Sequence, residues 1–91
     1  MQNLKNSALI LKALAHETRL AIVLGLMRGD GCNVSKIIDN LGLPQSTISQ
    51  HLTILRSAGI VEGYKKGSEV CYKIINEIVI KILKNMGLLI Q

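Results

Sequence analysis

The run Gly42-Leu43-Pro44 constrains the fold more than any other stretch of this chain. It separates two segments that each carry apolar residues at helical spacing. Before it, Val34, Ile37, Ile38 and Leu41 fall at i, i+3, i+4 and i+7. After it, Ile48, Leu52 and Leu55 lie within about 60° of one another on a helical projection of about 100° per residue. Gly42 stands at the position past a helix end that favours a left-handed residue. The missing N–H of Pro44 suits the start of the next helix, where it would be unpaired anyway. Asn33 is a good N-cap for the first of the two. The spacing therefore predicts helices over 33–41 and 45–57, the second closing at Gly59, joined by a three-residue turn. Two helices on a short Gly-containing turn make a helix-turn-helix.

The helix over 45–57 has an unusual polar side. Ser46, Ser49, Gln50, Thr53 and Ser57 oppose its apolar residues, Gln45 sits at its start, and no acid is among them. Solvent-facing helix sides ordinarily use Glu and Lys, whereas Ser and Thr cost helix propensity and add little solubility. A slim side of hydroxyls and amides suits a helix that enters the major groove, about 12 Å wide, and bonds base edges and phosphates. The bland alternative is a side that is merely solvated.

The flanking segments complete an architecture. Leu4, Ala8, Leu11 and Ala15 predict a first helix over about 3–15. A second, from about Glu17 to Arg28, has Leu20, Val23, Leu24 and Met27 on one side and Ile22 and Leu26 on another. Being apolar on most faces, it is expected to be central. Gly29-Asp30-Gly31 then ends it. Beyond Gly59, Ile60–Tyr64 and Glu69–Ile74 flank Lys65-Lys66-Gly67. Val70, Tyr72 and Ile74 alternate with Glu69, Cys71 and Lys73, the mark of a half-buried strand, so a β-hairpin with a basic tip is predicted. A last helix over about 76–89, capped by Asn76, carries Ile78, Val79, Ile82, Leu83, Met86 and Leu89. The expected fold is mainly α (α+β): a winged helix-turn-helix of about five helices plus a two-stranded wing, with 1–91 as one domain. Lys65 and Lys66 would reach backbone phosphates or the minor groove.

Composition narrows the function. The chain has 91 residues, 48% of them apolar. A folded chain of this size buries only about 60–65% of its unfolded surface, so part of its Ile and Leu is expected in a subunit interface. The net charge of +5 and pI near 9.5 favour a polyanionic partner. With 19% charged residues the chain is not a disordered tail. The longest apolar stretch, Leu20 to Met27 interrupted only by Gly25, falls far short of the roughly 18–20 residues of a membrane span, and the N-terminus lacks the layout of a secretory signal. Cys32 and Cys71 have no CxxC spacing and make no secreted disulfide framework, so a cytoplasmic location is expected. No nucleophile–base pair, paired-carboxylate site or phosphate loop is evident, so no enzyme is expected.

At this point the residues carry a resemblance. Leu11-Lys12-Ala13-Leu14-Ala15 with Thr18-Arg19-Leu20, then Gln45-Ser46-Thr47-Ile48-Ser49-Gln50-His51-Leu52, then Gly59-Ile60-Val61 and Cys71-Tyr72-Lys73-Ile74, resemble in order the ArsR/SmtB family of bacterial repressors over about 8–75. The resemblance implies a homodimer built on the first and last helices. It also implies binding to double-stranded, palindromic operator DNA that blocks transcription, released by a small inducer. The family's DNA contacts map to Gln45, Ser46, Ser49 and Gln50; Thr47, Thr53, Lys65 and Lys66 complete the candidate set. Arg19 matches a family arginine and is expected in a structural hydrogen-bonded pair or on a phosphate. A packed or backbone-bonded role is favoured for His51.

The chain also departs from the family. Where metal-sensing members carry a Cys-Val-Cys motif it has Asn33-Val34-Ser35, and its last helix has Glu77 but no His or Asp. His16 and His51 lie in different elements, so no metal site and no cofactor are expected. For Cys32 and Cys71 two readings stand. They are a thiol-linked sensing pair if their Cα atoms come within about 7 Å, close enough for a disulfide, or two unrelated buried thiols. The competing function is a winged helix used for protein–protein contact without specific DNA readout.

Overall fold

The computed structural model describes residues 3–29, 31–32, 39 and 41–88. The elements run α1 (Leu4–Leu14), α2 (Glu17–Arg28), α3 (Gln45–Ser57), β1 (Val61–Lys66), β2 (Glu69–Ile74) and α4 (Glu77–Asn85). Four helices and a hairpin are thus described, against an expectation of about five helices. Of the helix predicted over 33–41, Asp39 and Leu41 are described and helical, and the rest lies outside the described residues. Gly42 has the left-handed φ expected of it, 65°.

Helix starts follow local chemistry. Asn3 Oδ1 accepts the N–H of Asn6, and Asn76 Oδ1 accepts those of Ile78 and Val79. His16 caps α2, its Nδ1 accepting from Thr18 N at 3.1 Å. Pro44 stands at the start of the helix predicted over 45–57. It is the N-cap of α3, extended at ψ 147°, and its carbonyl accepts from Thr47 and Ile48.

Two helices end in the same way. Past α3, Gly59 N donates to Arg56 O and Ile60 N to Leu55 O; past α4, Gly87 N donates to Lys84 O and Leu88 N to Leu83 O. Gly59 and Gly87 have φ of 74° and 77°. This paired bonding satisfies the last carbonyls and requires the left-handed residue that glycine supplies. It also explains why α4 stops at Asn85 and not near 89: Gly87 terminates it, a signal outweighed by the apolar period in the sequence reading.

One hydrophobic core joins these elements. α2 packs against α1, α3 and β2, and α3 against β1. Ile22, Val23 and Leu26 of α2, Ile48, Leu52 and Leu55 of α3, and Val79 and Leu83 of α4 are buried, with Ile60 and Val61. The central place expected of α2 and the inward face expected of α3 are both observed.

Spacing gave α1 without saying which side the core would take, and one face of β2 turns out otherwise than expected. The spaced residues of α1 point outward: Leu4 and Leu11 are 68% and 56% exposed, while Ile10, Ala13 and Leu14 meet the core. The helix has two apolar sides, and the chain covers only one. On β2, Val70 is half exposed, whereas Cys71, on the side read as polar, is fully buried. The reason is the segment after α2. Tyr72 N donates to Gly31 O at 3.1 Å, and Cys32 is joined to Cys71 by a disulfide, Cα to Cα 4.2 Å. The post-α2 segment lies along the outer edge of β2 and covers the cysteine. A Cβ on Gly31 would fall 1.8 Å from Tyr72 O, so only glycine permits this approach.

β1 and β2 pair antiparallel from Val61↔Ile74 to Lys66↔Glu69. Gly67, with φ 66°, is the first of two loop residues, as a tight hairpin requires.

Candidate nucleic-acid interface

Burial of Ile48, Leu52 and Leu55 fixes which side of α3 faces outward. Gln45, Ser46, Ser49, Gln50, Thr53 and Ser57 are all exposed, and Thr47 is half-buried. Among the described residues no side chain caps the helix start or accepts from its first-turn N–H groups. Positive partial charge collects at such an end, and an anion is favoured there. Thr53 differs from the others. Its hydroxyl donates to Ser49 O at 3.0 Å, which leaves it only acceptor capacity for a ligand. Thr53 and Ser57 also line an apolar groove shared with Leu9 and Ile54, so they lie toward α1.

The basic tip belongs to another element. Lys65 and Lys66 are exposed and pair with Val70 and Glu69 across the hairpin. Strands rise about 3.3 Å per residue, so the tip stands well out from the base where β1 leaves α3. Glu69 opposite Lys66 makes the tip less basic than its two lysines imply. Nearer the base, Lys73 pairs with Glu62 at 3.7 Å, an exposed contact of small energetic weight.

Arg19 holds α3 from behind. Its Nε donates to Ala13 O, its Nη2 to Lys12 O at 3.4 Å, and its Nη1 lies 3.2 Å from His51 Nδ1. A guanidinium only donates, so Nδ1 is the acceptor and His51 is neutral with its proton on Nε2. One arginine thereby joins the end of α1, the start of α2 and the middle of α3. The structural pair expected of Arg19 is present; its partner on α3 could not be named from spacing. The His16 ring lies against His51, centroids 4.6 Å apart. Among the described residues no third His, Cys, Asp or Glu joins them to hold a metal ion.

Burial first, then the charges of His16 and Arg19, hold His51 below the ordinary histidine value of 6.5. The folded state thus keeps His51 neutral to a lower pH than the unfolded chain does. Its contribution to stability is complete above about pH 6.5 and is lost as pH falls through the folded midpoint. Imidazole NMR titration is expected to place that midpoint below 6.5. His16→Asn, which retains a capping acceptor, is expected to raise it; an unchanged midpoint would count against the contact.

The core-backed polar helix followed by a paired hairpin defines a winged helix-turn-helix protein, a class that known structures share with this chain. The homodimeric winged helix-turn-helix DNA-binding domain of Mb0332 from Mycobacterium bovis superimposes with a TM-score of 0.81 at 32% identity, covering 92% of this chain and 77% of that one. The transcriptional repressor PagR of Bacillus anthracis gives 0.80 at 41% identity, covering 91% and 94%. Residues 16–63 match the model of the bacterial regulatory protein, arsR family, and the chain belongs to that family. The transcriptional repressor SmtB of Mycobacterium tuberculosis is 46% identical over 65 residues, 71% of this chain. The chain spans about half the length of that relative, 47%. The family is one of regulators, not enzymes. Among the described residues no helix is long and apolar enough to cross a membrane.

Proposed function

We propose that residues 1–91 form one DNA-binding domain that acts as a sequence-specific transcriptional repressor. It works as a homodimer on palindromic operator DNA in the cytoplasm and is released by a small inducer. The observation that carries this reading is the acid-free outer side of α3, held outward by three buried residues on the other side. Gln45, Ser46, Thr47, Ser49, Gln50 and Thr53 are the reading set, and Lys65 and Lys66 supply phosphate contacts. Homodimerisation is supported by exposed apolar residues on α1, namely Leu4, Leu9 and Leu11, and on or beside α4, namely Ile78 with Ile75 just before it and Met86 at its end. A chain of this size rarely leaves so much apolar surface uncovered.

Selection from a random DNA pool tests the reading, with a palindromic preferred site expected for a two-fold dimer. On that site Ser49→Ala and Gln50→Ala are each expected to cost about 1–3 kcal/mol and to relax base preference. Lys66→Ala is expected to weaken all sequences alike and to lower the salt slope by about one. A pool that yields no preferred sequence, with binding that vanishes at moderate salt, would favour the protein–protein module instead.

A further inference from the structure

The disulfide joins two parts of the molecule that the DNA reading treats separately. Cys32 lies in the segment between α2 and the helix-turn-helix. Cys71 lies on β2, the partner of the strand that carries Lys65 and Lys66. The two sulfurs are unequally placed: Cys71 is fully buried, whereas Cys32 is partly exposed, with the Tyr64 hydroxyl 4.0 Å from its Sγ. A cavity of about 740 Å³ opens next to the segment that carries Cys32, lined by neither cysteine itself. Gly31 and Tyr72, the chain neighbours of the two cysteines, line it together with Tyr64. Its charged lining residues are Arg28, Lys73 and Lys84, with no acid among those described.

We propose that Cys32 and Cys71 are a thiol–disulfide exchange site for anionic low-molecular-weight disulfides, and that their oxidation state sets the grip on operator DNA. This rests on the DNA-binding reading above. The Cys32 thiolate, its proton lost to solvent, attacks one sulfur of R–S–S–R. A Cys32–S–S–R bond forms and R–S⁻ departs. The Cys71 thiolate then attacks Cys32 Sγ, the protein disulfide closes and a second R–S⁻ leaves. The two protein thiols give up two protons and two electrons; the reagent takes them up as two thiols, and no other oxidant is needed. The order follows from exposure, since only Cys32 meets a reagent. The cations of the cavity favour carboxylate-bearing reagents. The closed disulfide pins β2 to the segment leading into the helix-turn-helix and so presets the wing relative to α3. The reduced chain loses that covalent tie while keeping the Gly31–Tyr72 backbone bond, and it must order the wing when DNA binds.

The test uses the whole chain, reduced and then treated with oxidised glutathione or with cystamine, a cationic disulfide. Rates are normalised to those of free cysteine, and products are weighed by mass spectrometry. Loss of two hydrogens with a Cys32–Cys71 linkage is expected, with oxidised glutathione favoured several-fold and the preference reduced in Lys84→Gln. Cys71→Ser is expected to accumulate a Cys32–glutathione adduct, and Cys32→Ser to form none. The disulfide form is expected to bind the selected operator roughly tenfold more tightly than the reduced form. No exchange, first attack at Cys71, no preference for the anionic reagent, or operator affinity that is equal in the two states or higher when reduced would overturn the proposal. If neither state prefers any DNA sequence, the DNA reading has failed, and the operator-grip part of this proposal is overturned with it. Mass spectrometry still decides the exchange chemistry separately.

Discussion

Truncating Leu55 to alanine is expected to lower the free energy of unfolding by about 3–4 kcal/mol. Leu55 is completely buried in the last turn of α3, among the residues of the shared core. Removing three carbons there forfeits their transfer free energy and leaves a cavity that close-packed neighbours fill only in part. Leu55 O also accepts the Ile60 N–H that closes the helix, so movement of the backbone to fill the void would disturb that cap. A domain of this size has only about 5–15 kcal/mol of net stability, and the loss would be plain in urea unfolding. Ser49→Ala on the exposed side of the same helix is expected to move stability by less than about 0.5 kcal/mol. The two variants separate the supporting side of α3 from its reading side. Near-equal losses would show that the division is wrong.

Gly31→Ala is expected to cost about 2–4 kcal/mol, although Gly31 has no left-handed conformation to lose. The new methyl would meet backbone, Tyr72 O at 1.8 Å and Tyr72 C at 2.9 Å, and a strand carbonyl cannot swing aside as a side chain can. The segment must leave the edge of β2, which breaks the Tyr72 N–Gly31 O bond and draws Cys32 from Cys71. Unfolding measurements and a thiol count under non-reducing conditions check this: two titratable thiols are expected in the variant. Gly59→Ala is the contrast. No atom lies within 4 Å of its Cβ position, so only the cost of its positive φ, about 1 kcal/mol, is expected.

What could be read from the sequence was whatever depends on near neighbours in the chain. The period of Ile48, Leu52 and Leu55, the cap at Asn76 and the stop at Gly59 are local, and the structure repeats them. The outer side of α3 followed once its inner side was known. Pairings between distant segments were harder. Nothing in the alternation of β2 told that Cys71 would be its most buried residue, because the cover comes from Gly31 and Cys32, some forty positions earlier. Gly31 was read as a helix breaker, and its tight approach to Tyr72 left no local mark. For α1, spacing gave the helix but not which of its two apolar sides the chain would cover. That choice is made by the packing of Ala13 and Leu14 against α2.

The placement of Arg19 has a mechanical consequence. Its guanidinium spans the last carbonyls of α1 and the imidazole of His51, so α1 cannot slide along its axis without pulling on α3. In a pair of chains seamed along α1, the stride between the two reading helices would be geared to that seam. A nudge at the seam would then reach the operator as a change of half-site spacing, with no rearrangement inside either subunit.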